Sequence, residues 1–272
     1  WGDGQSFTFV LRPVAGAPMP LVNGEPAAEI RKDVTEGAPL AEFGEIIYTT
    51  PGTYSYEIYE VVPGDAVNAD GVAYADATAE QKAAGGFTKD GIVYDSTVHT
   101  ATVVVAENSP KDGELNTTVT YDGNKTSLTI NNTYDAAGKT EFKVKKVLTG
   151  RDFQAGDSWT FTLTGDGPMP AVTEVTITPD ANDPESLIKT FGEIEYGLDD
   201  AGQTYHYTIT ETGDVDGVHN ADPIEITVTV TDNGSGELTV TRTPNEVAYE
   251  FENVYTSEGK DELKATKASE VW

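Results

Sequence analysis

The chain contains two copies of one sequence pattern, so its fold must be one that can occur twice in tandem. Residues 5–11 (“QSFTFVL”) recur as residues 157–163 (“DSWTFTL”), and residues 42–48 (“EFGEIIY”) recur as residues 190–196 (“TFGEIEY”). Self-similarity over a long period is the signature of repeated structural units. We therefore predict two homologous domains joined by the short linker “DAAGK”.

Both copies have the sequence pattern of β-rich proteins. Each ends in three segments of alternating apolar and polar residues, rich in Thr and Val, with turn sequences such as “YDGN” and “DNGSG” between them. This alternation favours half-buried strands, and such turns are typical of hairpins. With 27 glycines and 14 prolines among 272 residues, the pattern predicts an all-β fold of two tandem antiparallel β-sandwiches, residues 1–134 and 139–256. The last segment of the first copy, “TSLTINNTY” (126–134), is predicted to be a strand.

An insertion near residues 64–92 is found in the first copy and has no counterpart in the second. It contains “DATAEQKAAGG”, which predicts either a short helix ending at Gly85 or a mobile loop. We assign no function to this insertion from the sequence.

The formal net charge of −29 excludes some classes of partner. A chain this acidic repels phosphate, so we expect neither a nucleic-acid partner nor membrane insertion. No segment approaches the ~20 apolar residues of a membrane span. No signal peptide is visible at “WGDGQSFTF”, so the sequence reads as a mature piece or an excised segment. Without cysteine, a β-rich chain outside a cell either lacks cross-links or makes them by other chemistry.

One strand of the second copy directs a lysine toward its apolar face. In “KTEFKVKKVLTG” (139–150), which we call the lysine strand, Phe142, Val144, Lys146 and Leu148 share one face at period two. A buried ammonium group is costly unless it finds a partner. The simpler alternative is a lysine whose stem is buried and whose head reaches solvent.

Each copy also directs a glutamate and an asparagine inward. Glu211 and Glu60 end matching runs of alternating Tyr and Ile, and Asn253 and Asn132 share the apolar faces of the last segments. If lysine, glutamate and asparagine meet, burial lowers the pKa of the lysine and raises that of the glutamate. A neutral amine then attacks the carboxamide while the carboxylic acid shuttles protons. The product is an isopeptide bond made once per domain, so the protein is its own substrate and not an enzyme with turnover.

The order of Lys in “KVKKVL”, Glu in “YTITET” and Asn in “FENVY” resembles the isopeptide-linkage domain of Gram-positive pilins and fibrillar surface proteins. The resemblance implies immunoglobulin-like sandwiches whose first and last strands lie side by side. It implies a cross-link between Lys146 and Asn253 with Glu211 as the catalytic group. For the first copy, the resemblance implies that Glu60 is the catalytic group and that Asn132 is cross-linked, although this copy lacks a lysine strand. There, a simple hydrogen-bonded pair is the alternative. The sequence departs from complete pilins, since it has no LPxTG-type sorting signal and no YPKN-type pilin motif.

Residues 257–272 are predicted to form a C-terminal strand that completes a following domain or a neighbouring subunit. Leu263, Ala265 and Lys267 repeat the alternation of the lysine strand. If the end of the chain is joined to its beginning, the separation from Lys267 to Phe7 is nearly that from Lys146 to Trp159 in the second copy. Lys267 of another copy is therefore the predicted cross-link partner of Asn132. Lys267 also fits a tail residue or the start of a truncated third domain.

These features predict a structural subunit or repeat of an extracellular, covalently cross-linked fibre or pilus at a Gram-positive cell surface. We expect no cofactor, no metal and no enzymatic turnover. The expected partners are copies of the chain or adjacent repeats, head to tail, and host surface ligands. The alternative function is the stalk of a host-binding surface adhesin. A hydrolase is disfavoured because the chain has no GxSxG motif and no cysteine. Acidic loops such as “DVDGVHNAD” lack EF-hand spacing and leave at most a weak calcium site.

Overall fold

The computed structural model describes residues 4–108, 113–180 and 182–267. The chain divides into two compact units, Trp1–Ala136 with Asn233–Glu237, and Ala137–Asp232 with Leu238–Trp272. We call these the first unit and the second unit. No helix within the described ranges has both the length and the apolar character needed to cross a membrane.

Among its described residues, the first unit consists mainly of strands, with one helix. Its elements are β1 (Ser6–Val14), β2 (Leu21–Val22), β3 (Glu25–Pro26), β4 (Ile30–Thr35), β5 (Gly52–Glu60), α1 (Ala79–Ala84), β6 (Phe87–Lys89), β7 (Ile92–Tyr94), β8 (His99–Glu107), β9 (Leu115–Tyr121) and β10 (Thr133–Tyr134). An antiparallel sheet has the order β4-β1-β5-β8-β9. A smaller antiparallel sheet has the order β10-β7-β6, and β2 pairs with β3 in a hairpin.

The larger sheet of the first unit has one buried face, as its alternation predicts. In β5, Tyr56, Ile58 and Glu60 are buried while the residues between them are more exposed. In β8, Ala101 and Val103 are buried in the same alternation. Successive side chains of a strand point to opposite faces of the sheet, so a period-two sequence buries one side. The glutamate at the end of β5 therefore enters the core along with the apolar residues.

The insertion forms an ordered substructure with its own small core. The predicted helix is confirmed as α1, which begins after a capping box between Thr78 and Gln81 and ends at Gly85, whose φ of 74° favours glycine. Val62, Ala66 and Phe87 form a separate buried cluster beneath it. The alternative of a mobile loop is not supported.

The second unit has eight strands and two short 3₁₀ helices among its described residues. They are β11 (Gly138–Thr149), β12 (Trp159–Gly165), β13 (Glu174–Ile177), the 3₁₀ helix Pro184–Leu187, β14 (Ile188–Tyr196), the 3₁₀ helix Leu198–Asp200, β15 (Thr204–Thr212), β16 (Ile224–Asp232), β17 (Leu238–Thr243) and β18 (Tyr249–Val254). One sheet has the order β14-β11-β18 and the other the order β13-β12-β15-β16-β17.

The two sheets of the second unit pack face to face as a sandwich. Phe142 of β11 lies edge-on to Tyr207 of β15, with ring centroids 5.2 Å apart. Phe161 of β12 meets Phe251 of β18 at 5.0 Å in the same way. Edge-to-face contacts at these distances are favourable for aromatic rings. The predicted fold class, all-β with two tandem immunoglobulin-like sandwiches, is confirmed.

One strand pair departs from a purely antiparallel arrangement. The first strand of the second unit, β11, pairs antiparallel with β14 on one side and parallel with β18 on the other. In the parallel register Lys146 lies opposite Phe251, and Leu148 lies opposite Asn253. The first and last strands of this unit are therefore neighbours.

The prediction of a strand over residues 126–134 is wrong for most of its length. Only Thr133–Tyr134 is a strand, and residues 127–132 have no regular secondary structure. Residues 42–48, the counterparts of much of β14, also form no strand. The physical reason is a missing neighbour. In the second unit the corresponding strands, β18 and β14, both pair with β11. No described strand occupies the place of β11 in the first unit.

Candidate functional site

Lys146 lies in the interior of the second unit because the alternation of β11 continues through it. Phe142, Val144 and Lys146 are buried in turn, and Lys146 has a relative exposure of 1%. Its Nζ donates hydrogen bonds to the backbone carbonyls of Phe251 at 2.9 Å and Val147 at 3.1 Å. The ammonium group therefore does not reach solvent. The alternative prediction, a buried stem with a solvent-exposed head, is wrong.

The indole ring of Trp159 covers the ammonium group. Nζ of Lys146 lies 4.8 Å from the ring centroid, within the range of a cation–π contact. Trp159 is itself 1% exposed. It begins β12, in the sheet that faces β11. The ring thus excludes water from the amine and stabilises its charged form.

Glu211 lies between Lys146 and Asn253 and contacts both. Its Oε2 lies 3.1 Å from Nζ of Lys146, a close ion pair that is not aligned as a hydrogen bond. Its Oε1 accepts a hydrogen bond of 2.6 Å from Nδ2 of Asn253 and one of 3.3 Å from the backbone N–H of Ala221. One carboxyl group therefore connects the amine to the carboxamide.

Burial lowers the pKa of Lys146 below its ordinary value, and the neighbouring charge of Glu211 partly opposes that shift. A lowered pKa means that transferring the Nζ proton to the carboxylate is less costly than it would be in water. The neutral amine that results is a nucleophile. Oδ1 of Asn253 is buried without a hydrogen-bond partner, so the carboxamide is held through its nitrogen alone.

The first unit brings together Glu60 and Asn132 without a lysine. Nδ2 of Asn132 donates to Oε1 of Glu60 at 2.8 Å, and the backbone N–H of Asp95 donates to Oδ1 of Asn132 at 2.9 Å. Glu60 is 3% exposed, and its Oε2 has no hydrogen-bond partner. Burial raises the pKa of Glu60 to about 7, with the nearby charge of Asp95 acting in the same direction and the hydrogen bond from Asn132 opposing it.

Lys267 is not part of either site in this structure. It is exposed, and residues 256–267 have no regular secondary structure. The remaining residues of the predicted C-terminal strand, 268–272, lie outside the described residues. Asn131 is exposed beside Asn132.

Sequence reasoning missed several groups that shape the two sites. Trp159 carried a usable signal, because an aromatic residue at an inward position of β12 faces the strand that bears Lys146. The backbone N–H groups of Asp95 and Ala221 carried no signal, since their roles depend on the path of loops. Among the residues that the structure describes, no cluster of three or more His, Asp or Glu side chains is arranged to hold a metal ion.

Comparison with known proteins gives a family. The FctA family model, described as a Spy0128-like isopeptide containing domain, matches residues 1–135 and 142–256. No curated protein matches the chain.

Solved structures of pilus proteins are similar to this chain at low identity. The major pilin from Streptococcus pyogenes is 16% identical, with a TM-score of 0.30 over 92% of this chain and 91% of that chain. The T3.2 major pilin from the same species is 17% identical, with a TM-score of 0.27 over 92% and 88%. A C-terminal fragment of the pilus adhesin SpaC from Lactobacillus rhamnosus GG is 15% identical, with a TM-score of 0.24 over 94% and 91%.

Proposed function

The chain belongs to the family of Spy0128-like isopeptide containing domains, and we propose that its second unit joins Nζ of Lys146 to Cγ of Asn253 through an isopeptide bond. The bond forms once, without a cofactor, and makes the unit a clamped module of an extracellular fibre. The protein is its own substrate and is not a turnover enzyme. The observation that carries this proposal is the buried contact of Glu211 with both reacting groups.

The reaction balances with groups already in the pocket. The Lys146 ammonium gives one proton to Glu211, and the neutral Nζ attacks Cγ of Asn253. Glu211 then returns that proton to Nδ2, the Cγ–Nδ2 bond breaks and ammonia leaves. Nζ, which still carries two protons after the attack, gives one of them to Glu211 as the new amide forms. A positioned carboxyl group that moves protons in this way is a general acid–base catalyst. No oxidant or external reactant is required.

The position of the bond suits a protein that bears load. The chain enters the second unit through β11 and leaves it through β18, and these two strands are parallel neighbours. Tension applied to the chain therefore pulls on both strands that the bond connects. A covalent connection between them transmits the force without unfolding the rest of the unit.

The test replaces Glu211, the side chain that transfers protons, by a residue that preserves the fold. In Glu211→Gln the side chain keeps its volume and its contact with Asn253 but no longer accepts the lysine proton. We expect the intact mass of this variant to equal the mass calculated from its sequence. The chain without substitutions should be lighter than its calculated mass by one ammonia. Glu252→Gln, an exposed neighbour on β18, is the matched control and is expected to lose ammonia normally. Loss of ammonia from Glu211→Gln would overturn the role of Glu211.

The fibre itself is the broader part of the proposal. We place the chain at the outer surface of a Gram-positive cell, with copies or adjacent repeats joined head to tail and with host surfaces as potential contacts. The Glu60–Asn132 pair is the second site for this chemistry, with Lys267 of another copy as its amine. Chains extracted from the native cell surface should then run as a ladder that resists boiling in detergent. Single chains alone in that extract would contradict a covalent fibre.

A further inference from the structure

Within the described residues, no strand lies between two segments of the first unit that correspond to strands of the second unit. Residues 42–48 and 127–132 match β14 and β18, which flank β11 on either side. Their apolar side chains pack against the core of the first unit but remain partly exposed; they include Phe43, Ile46, Tyr48, Leu128 and Ile130. Neither segment belongs to a sheet, so a strand between them would pair with their backbone groups.

Glu60, which is hydrogen-bonded to Asn132 at the end of one of these segments, has an unpaired oxygen. Oε1 of Glu60 accepts from Asn132, as Oε1 of Glu211 accepts from Asn253. Oε2 of Glu211 contacts Nζ of Lys146 in the second unit. Oε2 of Glu60 has no hydrogen-bond partner, although Glu60 is only 3% exposed. A buried polar atom without a partner is costly, so a hydrogen-bond donor at this oxygen would be favourable, as the ammonium group of Lys146 is at Oε2 of Glu211.

The segment at residues 262–267 has the pattern of the strand that fills this position in the second unit. “ELKATK” (262–267) parallels “EFKVKK” (141–146) in its first glutamate, its apolar residues and its last lysine. Nζ of Lys264 lies 3.2 Å from Oε2 of Glu262, as Nζ of Lys143 lies 3.0 Å from Oε2 of Glu141. Leu263 is 96% exposed, so the segment has an apolar side chain without a burial site.

We propose that residues 42–48 and 127–132 of the first unit form an acceptor groove, and that residues 263–267 of a second copy of the chain bind in it as a strand. This deepens the proposed function, on which it rests for the bond that follows binding. The binding itself needs only main-chain pairing and burial of apolar side chains, which is the general mode of strand addition to a sheet edge.

The register follows from the pairing of β11 in the second unit. The incoming strand runs parallel to residues 127–132, with Ala265 opposite Leu128, Thr266 opposite Thr129 and Lys267 opposite Ile130. Along residues 42–48 it runs antiparallel, with Lys264 opposite Glu42. That last pair is of opposite charge, which favours this register. Side chains of Leu263, Ala265 and Lys267 then face the core, because a one-residue shift would turn them outward.

The chain's own reach favours a second copy as the donor. Since β18 runs parallel to β11, Val254 lies beside Thr149, at the end of β11 far from Gly138. Gly138, the first residue of β11, is about 36 Å away along that strand. The nine residues from Val254 to Leu263 span at most about 32 Å when fully extended. The segment therefore cannot return even to the start of its own second unit before its first paired residue.

The groove and the donor segment are different surfaces of the chain, which makes the contact heterologous. Such contacts extend into filaments unless a rotation closes them into a ring. Within each contact Nζ of Lys267 lies at Oε2 of Glu60, and the same exchange as in the second unit joins it to Cγ of Asn132 with loss of ammonia. The donor strand thus supplies the direction of the fibre as well as its covalent connection.

Cysteine pairing tests the register, because the chain has no cysteine of its own. The variants Thr129→Cys and Thr266→Cys are made as separate full-length chains, mixed and oxidised with oxidised glutathione. We expect a disulfide-linked heterodimer, at roughly tenfold higher yield than with Asn131→Cys in place of Thr129→Cys, since disulfides require close Cβ atoms. Leu263→Asp in the Thr266→Cys chain should abolish the product, while Val247→Asp, at another exposed position, should not.

The readouts separate binding from chemistry. Heterodimers that lose no ammonia beyond the one lost in each second unit support the groove and contradict the bond at Asn132. Equal yields at positions 129 and 131 would overturn the register. A disulfide within one chain of the Thr129→Cys/Thr266→Cys double variant, with no heterodimer from the mixture, would overturn the second copy as donor.

Discussion

The two units have similar cores and differ in one sheet. In the second unit the hydroxyl groups of Tyr196 and Tyr207 lie 3.0 Å apart, and Tyr207 donates to the carbonyl of Pro168 at 2.7 Å. In the first unit the corresponding pair, Tyr48 and Tyr56, lies at 2.9 Å, and Tyr56 donates to Pro18 at 2.7 Å. The contrast is in the sheet built on β11, which is present in the second unit and has no described counterpart in the first.

The difference shows how much of this fold depends on one strand. Where β11 is present, both of its neighbours are strands and a lysine completes a buried cluster with Glu211 and Asn253. Where no such strand is described, the neighbouring segments lose their pairing, and Glu60 remains buried with an unpaired oxygen. Sequence similarity in those segments is therefore not enough to make them strands, because pairing needs a partner.

The largest effect should come from removing the amine of the second unit. Lys146→Met keeps much of the side-chain volume but cannot form the bond, which closes a loop of about 100 residues. By analogy with disulfides, a loop of that length contributes up to about 4.7 kcal/mol. We expect the calorimetric transition of the second unit to shift down accordingly, while that of the first unit stays in place. An unchanged second transition would contradict the clamp.

The next effect concerns the acidity of Glu60 and should appear only in the first unit. The folded unit holds this proton up to about pH 7, whereas the carboxyl group ionises near pH 4.5 once exposed. Between those values the folded state binds one more proton than the unfolded state, so stability falls as pH rises, by about 3 kcal/mol in total. Denaturant titrations at pH 5 and pH 8 measure this change.

Glu60→Gln removes the titrating group and is expected to flatten that pH dependence. Binding of the donor strand should flatten it too, because an ammonium at Oε2 lowers the pKa of Glu60. A pH dependence of the same size in Glu60→Gln would assign the effect to another group.

A smaller and equal effect is expected from the tyrosine pairs. Tyr207→Phe and Tyr56→Phe each remove a hydroxyl that donates to a proline carbonyl, at a cost of about 1 kcal/mol. Chemical denaturation of the two variants should give similar losses, each in its own unit. A loss confined to the second unit would show that the cores differ as well as the sheets.

The smallest effect is expected at Lys145, next to the proposed cross-link. Its Nζ contacts Glu250 at 2.6 Å, but both side chains are substantially exposed, at 40% and 58%. Exposed pairs contribute about 0.2–1 kcal/mol. Lys145→Ala should therefore change stability by less than 1 kcal/mol and leave the loss of ammonia intact. A loss comparable to that of Lys146→Met would mean that charge, and not the bond, stabilises this sheet.

The sequence was most informative where a residue contradicts its surroundings. A lysine in the apolar alternation of β11 and a glutamate at the end of an aromatic strand were visible as exceptions, and the structure brings Lys146, Glu211 and Asn253 together. A short helix ending at Gly85 was one of two predictions for the insertion, and the structure confirms it as α1, whose cap and terminal glycine are local signals. Such features depend on neighbours in sequence.

The features that the sequence did not reveal depend on contacts distant in the chain. The pairing of β11 with β18 joins residues about 100 positions apart. The resemblance to a known family implied that these strands are neighbours, but no local pattern specifies their parallel register. The N–H of Asp95 reaches Asn132 through the path of a loop. The wrong prediction at residues 126–134 has the same origin, because an alternating sequence states which face is apolar but not whether a partner is there.

The most direct test of the cross-link is the mass of the unmodified chain with peptide mapping of the second unit. The mass should be lower than that of the sequence by one ammonia for the bond in this unit. Digestion should give a branched peptide that contains both Lys146 and Asn253. Recovery of these two residues in separate linear peptides, with the asparagine carboxamide intact, would contradict the account.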